Sequence, residues 1–231
     1  MHSKLFRFVR PALSAFVVLF VMVNAAVAGP PLICHAFDIG NAKSLPFTSH
    51  DWNLSGGENY DTQNLANDTL AILQGSQVAL VHMETLRRAT LYARRDPQAA
   101  KQLLLKIVAR AQSNESATNL DAFALLDAAY LTEAYKQWLG DKDENPANGL
   151  YGYPWIKRAV QLRGNDPQME FAAALITLRD AGDVQHQYAQ RAIAGAKTDD
   201  LLARNLTTHF LGGQPMSEMI QRSNETKVAK Q

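Results

Sequence analysis

From about residue 68 onward, apolar residues recur at three- and four-residue steps, and no stretch alternates as a half-buried strand would. The spacing predicts a short helix from Asp68 to Leu73, interrupted near Gly75-Ser76. A longer helix then runs to about Arg95, with Val78, Val81, Thr85, Ala89 and Tyr92 on one face. In ARRDPQAAKQLL, Asp96 reads as an N-cap and Pro97 as the first helical residue, where a missing N–H costs nothing. The helix they open buries Ala100, Leu103, Leu104, Ile107 and Ala111 and ends near Gln112. Thr118 and Asp121 make a capping-box-like start for LDAFALLDAAYLTEAYKQWL. Apolar residues cover most of that helix's circumference, which predicts a central element buried on more than one side.

GDKDENPANG, at 140–149, is the clearest loop. After it, YPWIKRAVQL predicts a helix closed by Gly164, and Asp166-Pro167 opens PQMEFAAALITLRDAG. Asp183 starts a helix ending at Gly195, and Thr198 another ending at Gly212-Gly213. The expected fold is therefore all-α, about seven helices stacked as helical hairpins in a domain covering 68–213. Residues 29–67 are rich in Pro, Gly, Ser and Asn and predict an irregular N-terminal arm, with at most a turn of helix around Ala36 to Ala42. Residues 214–231 read as a polar, flexible tail.

The first 28 residues change where this fold is expected to work. Lys4, Arg7 and Arg10 precede an apolar run from Ala12 to Val23, and Ala26 and Ala28 hold the −3 and −1 positions of a cut before Gly29. That reads as a cleaved signal peptide, its apolar run too short to span a bilayer comfortably, since a span takes about 20 residues. The alternative is an uncleaved signal anchor, because Val17 to Val27 contains only Asn24 as a strongly polar interruption. Pro31 and Ile33 stand where a lipobox would need Leu-like and small residues before Cys34. The expected location is periplasmic or secreted, with no stable membrane span after cleavage.

Of 231 residues with 23 Lys+Arg and 22 Asp+Glu, cleavage removes three bases and no acid, leaving 20 bases against 22 acids. That balance excludes a dedicated nucleic-acid binder, whose affinity comes from clustered bases on phosphates. A single cysteine cannot form an internal disulfide, so cohesion must come from buried apolar surface. Five Asn-x-Ser/Thr sequons, at Asn53, Asn67, Asn114, Asn205 and Asn224, read as helix starts and loops rather than as glycan acceptors.

Asp96-Pro97-Gln98 and Asp166-Pro167-Gln168 lie 70 residues apart, twice a 35-residue step. With AAAL followed by AGD, residues 154–211 resemble the helix–turn–helix pairs of tetratricopeptide-like repeats, which implies a stacked array. Two positions depart from that pattern. Gln187 stands where an alanine should follow Asp183, and no turn signal lies near residue 131, where the intermediate repeat would need one.

Candidate chemistry is sparse. Cys34-His35, in PLICH, formally resembles a single-cysteine haem attachment, and His50, His82, His186 or His209 could supply a further ligand. The competing reading packs Cys34 as a small apolar side chain with Leu32 and Ile33, or pairs it with another thiol. Arg87, Arg88, Arg94 and Arg95, with each seven-residue pair on one helix face, predict either a docking strip for an anionic partner or ordinary solvated charge. Tyr151, Tyr153 and Trp155 around Pro154 either line a groove or anchor the loop. Phosphate-binding glycine loops, the G-x-S-x-G elbow and zinc-spaced cysteines are all missing from the sequence. The expectation is an exported, non-catalytic helical scaffold with a protein or anionic envelope partner and no cofactor. The alternative is a haem- or metal-binding protein, or an enzyme, using Cys34-His35.

Overall fold

The computed structural model describes residues 31–47, 54–115, 120–140, 145–178 and 184–210. The predicted leader at 1–28 and the tail at 214–231 lie outside them. Among the described residues the fold is all helical: α1 Leu65–Gln74, α2 Ala79–Ala93, α3 Pro97–Glu115, α4 Ala122–Leu139, α5 Tyr153–Arg163, α6 Pro167–Ile176, α7 Val184–Gly195 and α8 Asp200–Phe210. None of these helices is long and apolar enough to cross a membrane.

The helix starts follow from side-chain oxygens that catch the open N–H groups of a first turn. Asp96 Oδ1 accepts from the backbone N–H of Gln98 and of Ala99, both at 3.0 Å. Those bonds, with one from Thr62 and against slight burial, hold its carboxyl below the ordinary value. Asp166 repeats the arrangement on Gln168 at 3.0 Å and Met169 at 3.2 Å. Elsewhere the predicted cap is displaced. Asp121, expected inside the first turn of α4, is itself the N-cap and accepts from Phe123 N–H at 2.9 Å. Asp199 rather than Thr198 accepts from Leu202 at the start of α8. At α1 a 3-10 turn over Thr62–Asn64, capped by Asp61, begins the helix before Asp68. Asp68 instead receives the Tyr60 hydroxyl at 2.7 Å.

Helices α2, α4 and α6 pack on one another at the centre, and each also packs against its neighbours in the chain. Buried on all sides, α4 includes Phe123, Leu125, Leu126, Tyr130, Leu131 and Tyr135, as its even apolar coverage predicts. It runs unbroken through residue 131, so the intermediate turn of a 35-residue array does not occur there.

The arm departs most from expectation. Residues 31–47 contain turns and bends but no helix, yet Leu32, Ile33, Phe37 and Leu45 are each at most 3% exposed. Burying four such side chains is worth roughly 6–12 kcal/mol as an upper bound. That rivals the net stability of a domain, about 5–15 kcal/mol. Residues 31–47 form a strap that completes the core, and side chains of the helices satisfy its backbone. Gln137 Oε1 accepts from Leu32 N–H at 3.1 Å, and the Tyr130 hydroxyl donates to Leu32 C=O at 2.6 Å. Asn205 reads both sides of Asp38, accepting from its N–H and donating to its C=O, each at 2.9 Å. Asn205 is 1% exposed, which leaves no room for a glycan on that sequon.

Candidate functional site

The four arginines of the predicted strip do not share a surface. Arg87 is fully buried and forms a planar pair with Glu84 on the same helix, Nε to Oε2 at 2.7 Å and Nη2 to Oε1 at 3.0 Å. Its third donor reaches Ile33 C=O at 3.3 Å. Arg88, little exposed, donates to Glu84 Oε1 at 2.7 Å and to Leu45 C=O at 2.6 Å. Glu84 also accepts from Phe37 N–H at 2.9 Å. Phe47 of the strap lies against both guanidinium groups, 5.3 and 5.4 Å from its ring centroid. The physical reason is that α2 is buried all round, so cations at 87 and 88 must be paired with an acid and with carbonyls. The strip expectation is therefore corrected for Arg87 and Arg88: they fasten the strap.

Cys34 and His35 sit on that strap between buried neighbours. Cys34 is half-buried and in no disulfide, and burial pushes its thiol up, against a lowering backbone hydrogen bond, so it rests protonated at neutral pH. His35 is exposed, and its ring stands 5.6 Å from that of His209 in an edge-on arrangement. His209 stacks on Phe37 at 4.4 Å and meets Phe171 edge-on at 5.6 Å. Its Nδ1–H donates to Asn205 C=O at 2.8 Å, and burial holds its pKa down at about 4. Among the described residues no group of three or more His, Cys, Asp and Glu is disposed to hold a metal ion.

The other histidines are placed apart from this cluster. His82 has both ring nitrogens on acceptors, Asp127 Oδ1 at 2.6 Å and Ser76 C=O at 3.2 Å, which requires the imidazolium. Burial opposes that charge, but the adjacent Asp127 carboxylate outweighs it, and the pKa is raised. Arg110 binds the far side of Asp127 at 2.8 Å and Asp121 at 2.6 Å, extending the buried His82–Asp127 pair into a partly exposed network that ties α2, α3 and the start of α4. His186 is exposed on α7. His50 lies outside the described residues.

The aromatic cluster divides in the same way. Tyr153 and Trp155 are partly buried against the core, and Tyr151 is 72% exposed with Lys136 Nζ 4.9 Å from its ring centroid. Gly152 N–H donates to Glu133 Oε1 at 2.8 Å. A side chain there would meet Ala129 C=O at 2.7 Å, so only glycine lets the loop lie this close to α4. These residues anchor the loop; of the three, Tyr151 alone is presented outward.

Arg94 is presented. It follows α2, exposed, with its guanidinium carbon 4.6 Å from the ring centroid of Trp138 at the end of α4. The pair borders a cleft of about 410 Å³ between the α2–α3 corner and the residues after α4, with Pro97, Gln137, Asn145 and Pro146 on its walls. Asn145 braces the rim by donating to Tyr135 C=O at 3.1 Å and Gly140 C=O at 2.7 Å. Arg95 is exposed beside it but does not line the cleft.

No protein-family model, curated protein or solved structure matches this chain. The site must be argued from its own geometry. Sequence reasoning placed Arg94 among the candidates but missed Trp138, whose partner lies 44 residues earlier with no local spacing to announce it.

Proposed function

We propose that the protein is an exported, non-catalytic helical scaffold that binds a partner at the Arg94–Trp138 cleft. One observation carries the reading: a guanidinium over an indole ring, 4.6 Å from its centroid, beside a 410 Å³ cleft. Stacking on an aromatic face fixes the arginine while leaving its N–H edge open, an arrangement suited to recognition rather than cohesion. Clefts of this size are common for ligand sites, about 300–1,000 Å³. The partner it suits is an anionic segment of another protein.

A photo-crosslinking amino acid placed at Leu139, on the cleft wall beside Trp138, in the exported protein tests this. The expected result is a discrete adduct that an Arg94→Ser substitution weakens, with no such adduct from an exposed position on α5 such as Lys157. An identical adduct pattern from both positions would reject the cleft as the binding site.

The second reading, haem or metal at Cys34-His35, draws support only from the nearness of His209 to His35. With Nδ1 of His209 committed to Asn205 and its ring stacked on Phe37, that support is thin. An absorption spectrum and metal analysis of the mature protein decide it; a Soret band or stoichiometric metal would overturn the scaffold reading in favour of this one.

A further inference from the structure

Asn148 is the one asparagine of the chain that precedes a glycine. Leu150 N–H donates to Ala147 C=O at 3.1 Å, and Gly149 has a φ of 79°. Among the described non-glycine residues only Leu54 and Asn165 have positive φ, so Asn148 does not. Asn148 and Gly149 are therefore the two central residues of a type II turn, whose hydrogen bond uses the N–H of Leu150 and not that of Gly149. Both are exposed, while the footing of the turn is fixed. Ala147 is buried and its N–H donates to Asn145 Oδ1 at 3.0 Å, and Gly152 N–H is held by Glu133. A type II turn gives Asn148 a ψ of about +120°, which points the Gly149 nitrogen away from the Asn148 side chain. The Asn148–Gly149 peptide must turn over before that nitrogen can reach Cγ. Glycine permits the motion: it takes either sign of φ, and a Cβ at 149 would meet nothing within 4 Å among the described residues. Other asparagines are held differently. Asn67 and Asn205 lie inside helices, the N–H after Asn41 donates to Ile39 C=O at 3.2 Å, and the residue after Asn145 is Pro146, which has no N–H.

We propose that Asn148–Gly149 is a self-modifying site, at which a neutral amide becomes a carboxylate with water as the only co-reactant. Asparagine is among the thermolabile side chains, and a following residue without a side chain leaves its amide the easiest approach. The Gly149 nitrogen loses its proton to hydroxide and attacks Cγ of Asn148. The new N–Cγ bond closes a five-membered imide, the Cγ–Nδ2 bond breaks, and the leaving nitrogen departs as ammonia with a proton from water. Water then adds to one imide carbonyl. Breaking the N–Cγ bond gives aspartate; breaking the bond from the same nitrogen to the Asn148 main-chain carbonyl gives isoaspartate. Nothing is oxidised or reduced. Either product places a negative charge at 148 at neutral pH. Isoaspartate also routes the main chain through Cβ and Cγ, lengthening a turn whose two ends are fixed, and the Leu150–Ala147 hydrogen bond does not survive it.

Incubation of the folded protein in mildly alkaline buffer made with heavy-oxygen water, followed by peptide mass spectrometry, tests the proposal. Asn148 is expected to convert to the acid at least about tenfold faster than Asn41, in two separable forms, aspartate and isoaspartate, each carrying a single labelled oxygen. Asn148→Gln is expected to abolish the conversion, because its imide would need a six-membered ring. Residue 148 is exposed, so that variant does not threaten folding. A conversion no faster than at Asn41, or none at Asn148 over the time in which the chain unfolded in urea converts fully, overturns the proposal. So does a mass gain that persists in Asn148→Gln, which would place the reaction at Asn145 in the same peptide. Aspartate without isoaspartate would mean direct hydrolysis of the side chain and would overturn the imide route.

Discussion

Glu84→Gln isolates the charge that fastens the strap, because it keeps the shape of the side chain. All four groups facing the carboxylate are donors: Phe37 N–H and Arg87 Nε on Oε2, Arg87 Nη2 and Arg88 Nε on Oε1. An amide presents its own N–H2 to one of those pairs in either orientation, so two hydrogen bonds become donor–donor contacts. Arg87, with no exposed surface, keeps its charge without an anion. Removing one partner of a buried pair costs about 3–5 kcal/mol. With a urea slope of about 2 kcal/mol/M, the unfolding midpoint should fall by roughly 1.5–2.5 M. Glu84→Met combined with Arg87→Met should recover part of that loss, because the fully buried cation is gone, while Arg88 and Phe37 N–H still lose their acceptor. The assay is equilibrium urea unfolding followed by helical circular dichroism. A Glu84→Gln midpoint within the error of the parent would refute the reasoning, as would a double variant less stable than the single one.

Further expectations concern pH, close approach and capping. His209 is held at about 4 against an unfolded value near 6.5, so the unfolded chain binds the extra proton between those values. Its contribution is complete above about pH 6.5 and falls by up to about 3 kcal/mol as pH drops toward 4. His209→Phe should lose less stability than the parent between pH 7 and 4.5 in urea melts; equal losses would contradict this. His82 runs the opposite way, its raised pKa giving stability that is complete below about 6.5 and lost as pH rises through the folded value. Gly195→Ala should cost about 1–3 kcal/mol in thermal unfolding, since its new methyl would lie 2.2 Å from Pro167 Cβ where α7 meets α6; no change would contradict that contact. Asp166→Ala should cost about 1 kcal/mol by loss of the α6 cap, and a neutral result would mean that the cap bonds contribute nothing.

What the sequence made legible was what short-range physics determines. Asp96-Pro97 and Asp166-Pro167 read directly as helix starts because capping acts over two or three residues. The even apolar coverage of α4 marked it as central for the same kind of reason. The strap was read as an irregular arm because an extended segment without period has no local signature, and its partners Glu84, Tyr130, Gln137 and Asn205 lie 47 to 167 residues away. The seven-residue steps from Arg87 to Arg94 and from Arg88 to Arg95 assumed one helix through residue 95, but α2 ends at Ala93, and the steps could not say that Arg87 and Arg88 were the buried members. Glu84, three and four residues ahead of Arg87 and Arg88, was the available sign that those two were paired internally. Trp138 carried no such sign, since its stacking on Arg94 depends on how α2 and α4 are brought together.

The central claim is that residues 31–47 belong to the core, and hydrogen exchange of the protein tests it most directly. The backbone N–H groups of Leu32, Phe37 and Asp38 are expected to be protected to about the same free energy as those in the middle of α4, because each is bonded to a side chain of a helix. Exchange of those three amides at the rate of an unstructured peptide, with α4 still protected, would contradict the account.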